Sequence, residues 1–347
     1  VLVGDREYSG IELARAYWHE VVGPLLEAAF PGVPLAAARI GTGSDVLGLD
    51  DPTSRDHDWG LRLSVFVPSD TAAAVGSVGS ELERRLPVAF RGHPTRFAFT
   101  GRSDATHQVD VGTVGAFADS RLGFDPQLAS TLDWLSLTGQ AALEVTAGEV
   151  FADPVGELAA ACAALAWYPA DVWRHALAAD WARLAQELPL MGRAADVGDD
   201  LGSRVIGARL SQVAMHLAFL LERRWPPYAK WFGTVFGRLD SAPDLAPHLQ
   251  RTLSADTLRD RELGLVDALD LLLERQNTLG LTHVERATIP FWDRPYRHPD
   301  PAIVTQLLAE VTDATLRALP PGLGTIEQRT DNVDVLVDAA ARRRMIG

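Results

Sequence analysis

The chain has 347 residues, 47% of them hydrophobic, with a mean hydropathy of +0.02, so it carries enough apolar mass for a sizeable core and the length of about two domains. A net charge of −14 and a pI near 5.1 argue against a long nucleic-acid footprint, which needs clustered Lys and Arg, and favour a small substrate, a cationic one in particular. The single cysteine, Cys162, lies in the apolar stretch ELAAACAALAWY, which excludes a disulfide framework or a thiolate zinc site and reads as a small buried hydrophobe.

In chain order, YSGIELARAYWHEVVGPLLEAAF has helical periodicity with Ser9 as its cap, and FPGVP ends it before a strand over LAAARI. An irregular loop, GTGSDVLGLDDPTSRDHDWG, occupies 41–60. Strands are expected at 59–67, 95–101, 106–114 and around 141–151, with a helix near 70–86. From about Pro154 the chain turns to Ala- and Leu-rich amphipathic stretches at 155–188, 200–224, 227–239, 256–280, 300–318 and 331–345. The expected class is α+β: a mixed-sheet domain over 1–153 and an all-helical bundle over 154–347. No segment reaches about eighteen uninterrupted apolar residues and VLVGDREYSG lacks the regions of a signal peptide, so the expected location is the cytoplasm, away from membranes.

The loop at 41–60 carries the chemistry. Asp56 and Asp58 straddle one residue at the head of the strand LRLSVFV, where alternation points both carboxylates to one face. HQVDVGTV repeats the pattern with a single acid, Asp110, and a neighbouring strand would bring it beside the first two. Three converging carboxylates suit one or two Mg²⁺ ions that also bind triphosphate oxygens. Gly43 permits close backbone approach and Ser44 offers a hydroxyl, so the GTGSDVLG turn can cradle phosphate. It is neither a phosphate loop, which needs Lys before Ser or Thr, nor a dinucleotide loop, which opens straight into a helix. Asp45, Asp50 and Asp51 read as turn formers, with Pro52 fixing the turn.

Gly43, Ser44, Asp56, Asp58 and Asp110, in this order, resemble the polymerase-β-like nucleotidyltransferase superfamily. His57 stands where that superfamily more often has an apolar residue. The segments GSDVLGLDD, SRDHDWG, LTGQAALEVTAGEVFAD, YPADVWRHALAADWARL, GDDLGSR and LLERRWPPYAKWFG also resemble a group of uncharacterised bacterial proteins, common in actinobacteria and classed as a domain of unknown function, that join this module to a helical domain. The resemblance implies that Asp56, Asp58 and Asp110 are catalytic metal ligands for Mg²⁺, two ions in all, and that Gly43 and Ser44 hold the phosphates of a nucleoside triphosphate.

In the helical half, Arg209, Gln212 and His216 fall three and four apart along an otherwise apolar helix, a stripe that either contacts phosphate or base in a cleft or forms a thin solvated edge. RRWPPYAKWFG places Tyr228 and Lys230 beside a Pro-Pro break, similar to aminoglycoside-modifying nucleotidyltransferases, whose helical-domain Lys and Tyr touch the triphosphate. Lys230 is one of very few lysines in an Arg-rich chain. Glu187, Asp199 and Asp200 read either as carboxylates that attract a cationic acceptor or as helix-capping groups. The implied activity is nucleotidyl transfer, ATP being one such donor, to a hydroxyl of a small-molecule acceptor with release of pyrophosphate, Asp110 helping to deprotonate the acceptor. The alternatives are a non-catalytic nucleotide-binding or regulatory module, or transfer to a protein or tRNA.

Overall fold

Ser9 and Glu12 form a reciprocal capping box: the Glu12 amide donates to Ser9 Oγ at 3.2 Å, and the Ser9 amide donates to Glu12 Oε2 at 2.9 Å. The expected first helix therefore begins at Gly10, but it is not continuous. Pro24 has no N–H to return to the preceding turn, and the chain runs as an α-helix over Gly10–Tyr17, a π-helical turn over Trp18–Val22 and a helix over Gly23–Ala29.

The computed structural model describes residues 8–51, 53–55, 59–101 and 103–346. Its strands are β1 (Ala36–Arg39), β2 (Arg62–Phe66), β3 (Ala89–Phe90), β4 (His93–Pro94), β5 (Arg96–Phe97), β6 (Thr106–Gly112), β7 (Glu149–Ala152), β8 (Thr288–Pro290) and β9 (Arg297–Pro299). Among the described residues, five strands form one mixed sheet in the order β5-β6-β2-β1-β7. Strands β2 and β6 are parallel, and the other pairs are antiparallel. Helices and a mixed sheet together make the class α+β, as the periodicities implied.

Alternation sorts the two faces of the sheet. Leu63, Val65 and Val109 face a core completed by Leu13, Tyr17, Val22 and Leu26 from the first helices and by Val78 and Leu82 from the helix Val75–Arg85. On the opposite face, Ala36, Ala38 and Phe66 pack with Val114 of the helix Val114–Leu122 and with Leu158 and Ala161 of the helix Glu157–Ala164. Part of that second face stays open, and Asp110 is exposed on it.

Several expected elements differ. The strand around 141–151 is instead the helix Gly139–Thr146 followed by β7, because Ala141, Ala142 and Val145 bury at helical spacing and Gly148, at φ 89°, turns the chain. The strand at 95–101 shrinks to two residues, paired in register with Thr106 and His107. The segment 155–188 breaks at Pro169, after which a new helix starts at Ala170. Other expected elements differ as well: 300–318 divides into Pro301–Ala309 and Ala314–Arg317, and 331–345 into Val333–Leu336 and Ala339–Ile346.

The chain divides into two compact units, residues 1–129 with 141–166, and residues 130–140 with 167–347. Sequence composition changes at Pro154, yet the first Ala-rich helix beyond it packs on the sheet through Leu158 and Ala161. In the second unit the long helices Ala170–Asp196 and Asp200–Glu222 lie together, with Ala242–Ser254, Leu258–Thr278 and Pro301–Ala309 against them. Trp181, buried at their centre, donates to Gln276 Oε1 at 2.9 Å, and Gln276 donates to Thr282 Oγ1 at 3.0 Å, so these buried polar groups are matched. The helix Asp200–Glu222 is long and apolar enough to cross a membrane by length and composition, but most of its apolar window is buried within the protein.

Where β1 ends, Arg39 and Asp45 form an ion pair with side-chain exposures of 3% and 6%. Removing one partner strands a buried charge, so Asp45→Ala is expected to destabilise the sheet unit by about 3–5 kcal/mol in denaturant unfolding. A loss within about 1 kcal/mol, the range of a surface pair, would contradict that role.

Candidate functional site

In the sheet unit, the turn after β1 is shaped from within by Arg39. Its Nε and Nη2 donate to the two oxygens of Asp45 at 2.7 Å each, Nη1 to the Ile40 carbonyl at 2.8 Å and Nη2 to the Thr42 carbonyl at 2.9 Å. Gly43 sits above this fan at φ 132°, where a Cβ would collide with Asp45 Oδ1 and Arg39 Nη2. Only glycine fits there. Ser44 starts a short 3₁₀ turn, Asp45–Leu47, and its carbonyl accepts from the Leu47 and Leu49 amides. Gly43 is exposed and Ser44 half-buried.

The turn and Asp110 share one side of the sheet. Asp110 lies level with Ser64 in the parallel β2/β6 register, while Val109 and Val111 point to the core opposite Leu63 and Val65. Arg62, on the Asp110 face by alternation, donates from Nη2 to Thr42 Oγ1 at 2.9 Å and lies 5.1 Å from the Phe99 ring centre. Arg121 approaches the same turn: Gly41 donates to the Glu144 carbonyl at 2.8 Å, and the Glu144 carboxylate is 3.4 Å from Arg121 Nη1. A glycine turn bordered by Arg62 and Arg121, with an exposed carboxylate on the adjoining face, offers both a lining for phosphate and an acid for a cation.

Asp56 and Asp58 lie outside the described residues. Among the described residues, no group of three or more His, Cys, Asp or Glu side chains could hold a metal. Of the acids that read as turn formers, Asp45 and Asp51 do form turns, whereas Asp50 ties the loop to the first helix. Asp45 holds Arg39, Asp50 Oδ2 accepts from the Gly10 amide at 2.7 Å and Asp51 Oδ1 accepts from the Ser54 amide at 2.7 Å. Trp59 is half-buried, edge-on to His93 at 5.4 Å.

A cavity of about 320 Å³ lies in the helical unit, and Arg209, Gln212, His216 and Tyr228 all line it. Lys230 is not among the lining residues; it is exposed, with Nζ 4.9 Å from the Trp231 ring centre. The stripe is not uniform: Arg209 and Gln212 are exposed, whereas His216 is buried. Its Nδ1 is 2.6 Å from Asp180 Oδ2, and its Nε2 faces Glu327 Oε1 at 3.6 Å. Gln328 donates to the other Asp180 oxygen at 2.7 Å, and Glu327 Oε2 accepts from the Gly139 amide at 2.9 Å. Burial opposes charge on His216, but Asp180 and Glu327 outweigh it and push the imidazole up to about 10.

The carboxylates expected to attract a cation are otherwise engaged. Glu187 pairs with both Arg183 and Arg209, Asp199 accepts from the Gly202 amide at 2.8 Å as a helix cap, and Asp200 is shared by Arg204 and Arg261. Asp180 and Glu327 are not marked in the sequence as partners of His216. The only signal was a lone acid within the apolar HALAADWARL; nothing marked Glu327 as its counterpart. Two motifs of the bacterial group meet beside this cavity. Gly139 of LTGQ lies so close to the Pro226 backbone that a Cβ would collide with its carbonyl, and Tyr228 of WPPY donates its amide to Gln140 Oε1 at 3.3 Å.

Residues 134–232, less than half of the chain, match a family described as a domain of unknown function, DUF4037. Among solved structures, the chain is similar to a nucleotidyltransferase-like protein from Exiguobacterium sibiricum 255-15, with 13% identity and a TM-score of 0.34 over 83% of this chain and 99% of that one. That likeness is remote. No curated protein matches the chain.

The His216 environment has a pH signature. Because its folded value lies above the ordinary 6.5, its stabilisation is complete below 6.5 and is lost as pH rises through about 10. Between these limits the unfolding free energy of the wild-type chain is expected to fall more steeply than that of His216→Gln. Parallel slopes would show that the imidazole is not held charged.

Proposed function

We propose that this chain is a Mg²⁺-dependent nucleotidyltransferase, acting on a nucleoside triphosphate and a small hydroxyl-bearing acceptor in the cytoplasm. The observation that carries the reading is the position of Asp110. It is exposed on the strand parallel to the one that follows Asp56 and Asp58, on the sheet face that Arg62 ties to the Gly41–Ser44 turn. The sequence order of these groups and their placement in a mixed sheet both fit the polymerase-β-like arrangement.

The donor set suits a hard cation, since it consists of carboxylates beside a cationic turn rather than thiolates or imidazoles. Asp56, Asp58 and Asp110 would hold Mg²⁺, which when bound supplies charge neutralisation for the triphosphate and its leaving pyrophosphate. The chain's own part is positioning. Backbone N–H groups of the turn at Gly43 and Ser44 would receive phosphate oxygens, and Arg62 adds positive charge at the rim. In the transfer, an acceptor hydroxyl oxygen bonds to the α-phosphorus, the bond from that phosphorus to the bridging oxygen of the pyrophosphate breaks, and the hydroxyl proton passes to solvent or to a carboxylate base. Aligning the reacting groups lowers the barrier without covalent participation by the protein.

The reading is tested by pyrophosphate release from each nucleoside triphosphate with Mg²⁺ and a panel of hydroxylated metabolites. Asp110→Asn is expected to reduce turnover by on the order of 10²–10³-fold, the scale of losing one group that stabilises transition-state charge, with unfolding unchanged because the side chain is exposed. Asp56→Asn and Asp58→Asn should behave alike. Full turnover in the folded variants contradicts the assignment, and metal-dependent triphosphate binding without turnover by the wild type favours a non-catalytic nucleotide-binding module.

A further inference from the structure

A cleft of about 330 Å³ in the sheet unit is lined by Phe99, Gly101, Ser103, Asp104, Thr106 and Gln108. Gln108 and Asp110 are two residues apart on β6, so their side chains leave the same face of the sheet, with Cα atoms about 7 Å apart.

Gln108 gives the cleft its chemistry. The residue is only 7% exposed, and its Nε2 donates to the Phe97 carbonyl at 2.7 Å and to the Thr106 carbonyl at 3.1 Å. Both neighbours are acceptors, so they fix which end of the amide faces the backbone. Oε1 is left without a hydrogen-bond partner among the described residues, yet it is not closed off from solvent as the unmatched Tyr17 and Tyr168 hydroxyls are. A nearly buried amide with one end unmatched calls for a donor from outside the protein. The Asp104 carboxylate is a second acceptor on the lining and takes the Ser103 hydroxyl at 3.1 Å. None of these six residues is cationic, so the cleft suits a hydrogen-bond donor rather than a phosphate.

Arg62 joins the cleft to the glycine turn. Its Nη2 donates to Thr42 Oγ1 at 2.9 Å, its Nη1 lies 3.0 Å from the place a Cβ on Gly43 would occupy, and its guanidinium carbon is 5.1 Å from the Phe99 ring centre. Arg62 and Gln108 are also partners in the parallel β2/β6 register. Phosphates at the turn and a ring against Phe99 would therefore flank one guanidinium.

We propose that this cleft receives the base of the nucleoside triphosphate and selects one with an exocyclic amino group, as in adenine or cytosine, which donates to Gln108 Oε1. The proposal rests on the reading of the sheet unit as a nucleotidyltransferase and adds the base that it prefers. Phe99 offers the ring an apolar surface, and an oxo group in place of the amino group would set acceptor against acceptor.

The test uses two pairs that differ by amino against oxo, ATP with ITP and CTP with UTP, and inorganic tripolyphosphate as the probe without a base. Binding to the full chain with Mg²⁺ is measured by calorimetry, and NMR follows the Gln108 side-chain amide. In at least one pair the amino member is expected to bind about tenfold more tightly, as when a site's polar group loses its match. That compound should shift the Gln108 signal, and tripolyphosphate should not. Gln108→Met keeps the length of the side chain but removes the acceptor, and should bring the pair level while tripolyphosphate still binds. If that variant does not fold, the wild-type pairs and the Gln108 signal decide alone. Equal affinity within both pairs, preference for the oxo members, a Gln108 signal that does not move, or selectivity that persists in Gln108→Met overturns the proposal and leaves the transferase reading standing. Failure of every triphosphate to bind, tripolyphosphate included, overturns both.

Discussion

The buried pair of Arg39 and Asp45 governs the sheet unit. A buried guanidinium at the end of a strand needs partners at each of its nitrogens, and Arg39 finds them in Asp45 and in the Ile40 and Thr42 carbonyls. Meeting that demand bends the chain back over the guanidinium through the Thr42 carbonyl and Asp45. It also constrains more distant sequence: a Cβ on Gly148 would collide with the Arg39 carbonyl, so β7 enters its pairing with β1 through a glycine at φ 89°. The same strand pair shifts register between Ala37 and Ala38. One charge placed in the core thereby sets both the shape of the proposed phosphate turn and the route of the outer strand.

The two units handle charge in opposite ways, which explains why they offer different chemistry. The sheet unit neutralises its buried charge internally and exposes Asp110 on an open face. The helical unit instead holds charge inside the bundle. Arg261 donates to Asp200 at 2.8 Å and is bonded to Ser203 Oγ, and His216 sits between Asp180 and Glu327. Arg261 is built into the bundle's framework. His216 is not fully satisfied, and it borders a cavity.

What could be read from sequence follows from how local the deciding interactions are. The Ser9 cap was legible because its partner, Glu12, is three residues away. Asp45 and Asp51 are legible as turn formers, but nothing near Asp50 announces that its partner is the Gly10 amide. The helix Ala242–Ser254 has no clear sequence signature because Pro243 and Pro247 break the usual pattern, although Pro243 falls in its first turn, where it is tolerated. The segment around 141–151 is helix rather than strand because Ala141, Ala142 and Val145 bury on one helical face. Strand β5 exists only because β6 pairs with it, a tertiary fact with no local signature. Among site residues, the stripe of Arg209, Gln212 and His216 was visible as polarity in an apolar helix. Its partners Asp180 and Glu327 come from other helices, and no spacing rule links them.

The central claim is that a divalent ion and the nucleotide phosphates meet at the turn and the Asp110 face. Amide NMR of the full chain, with Mn²⁺ substituted for Mg²⁺ in the presence of a non-hydrolysable triphosphate, tests it directly. The account predicts paramagnetic broadening of Gly43, Ser44 and Asp110 together, lost in Asp110→Asn. Broadening confined to other parts of the chain, or triphosphate binding that leaves these three signals sharp, would contradict it.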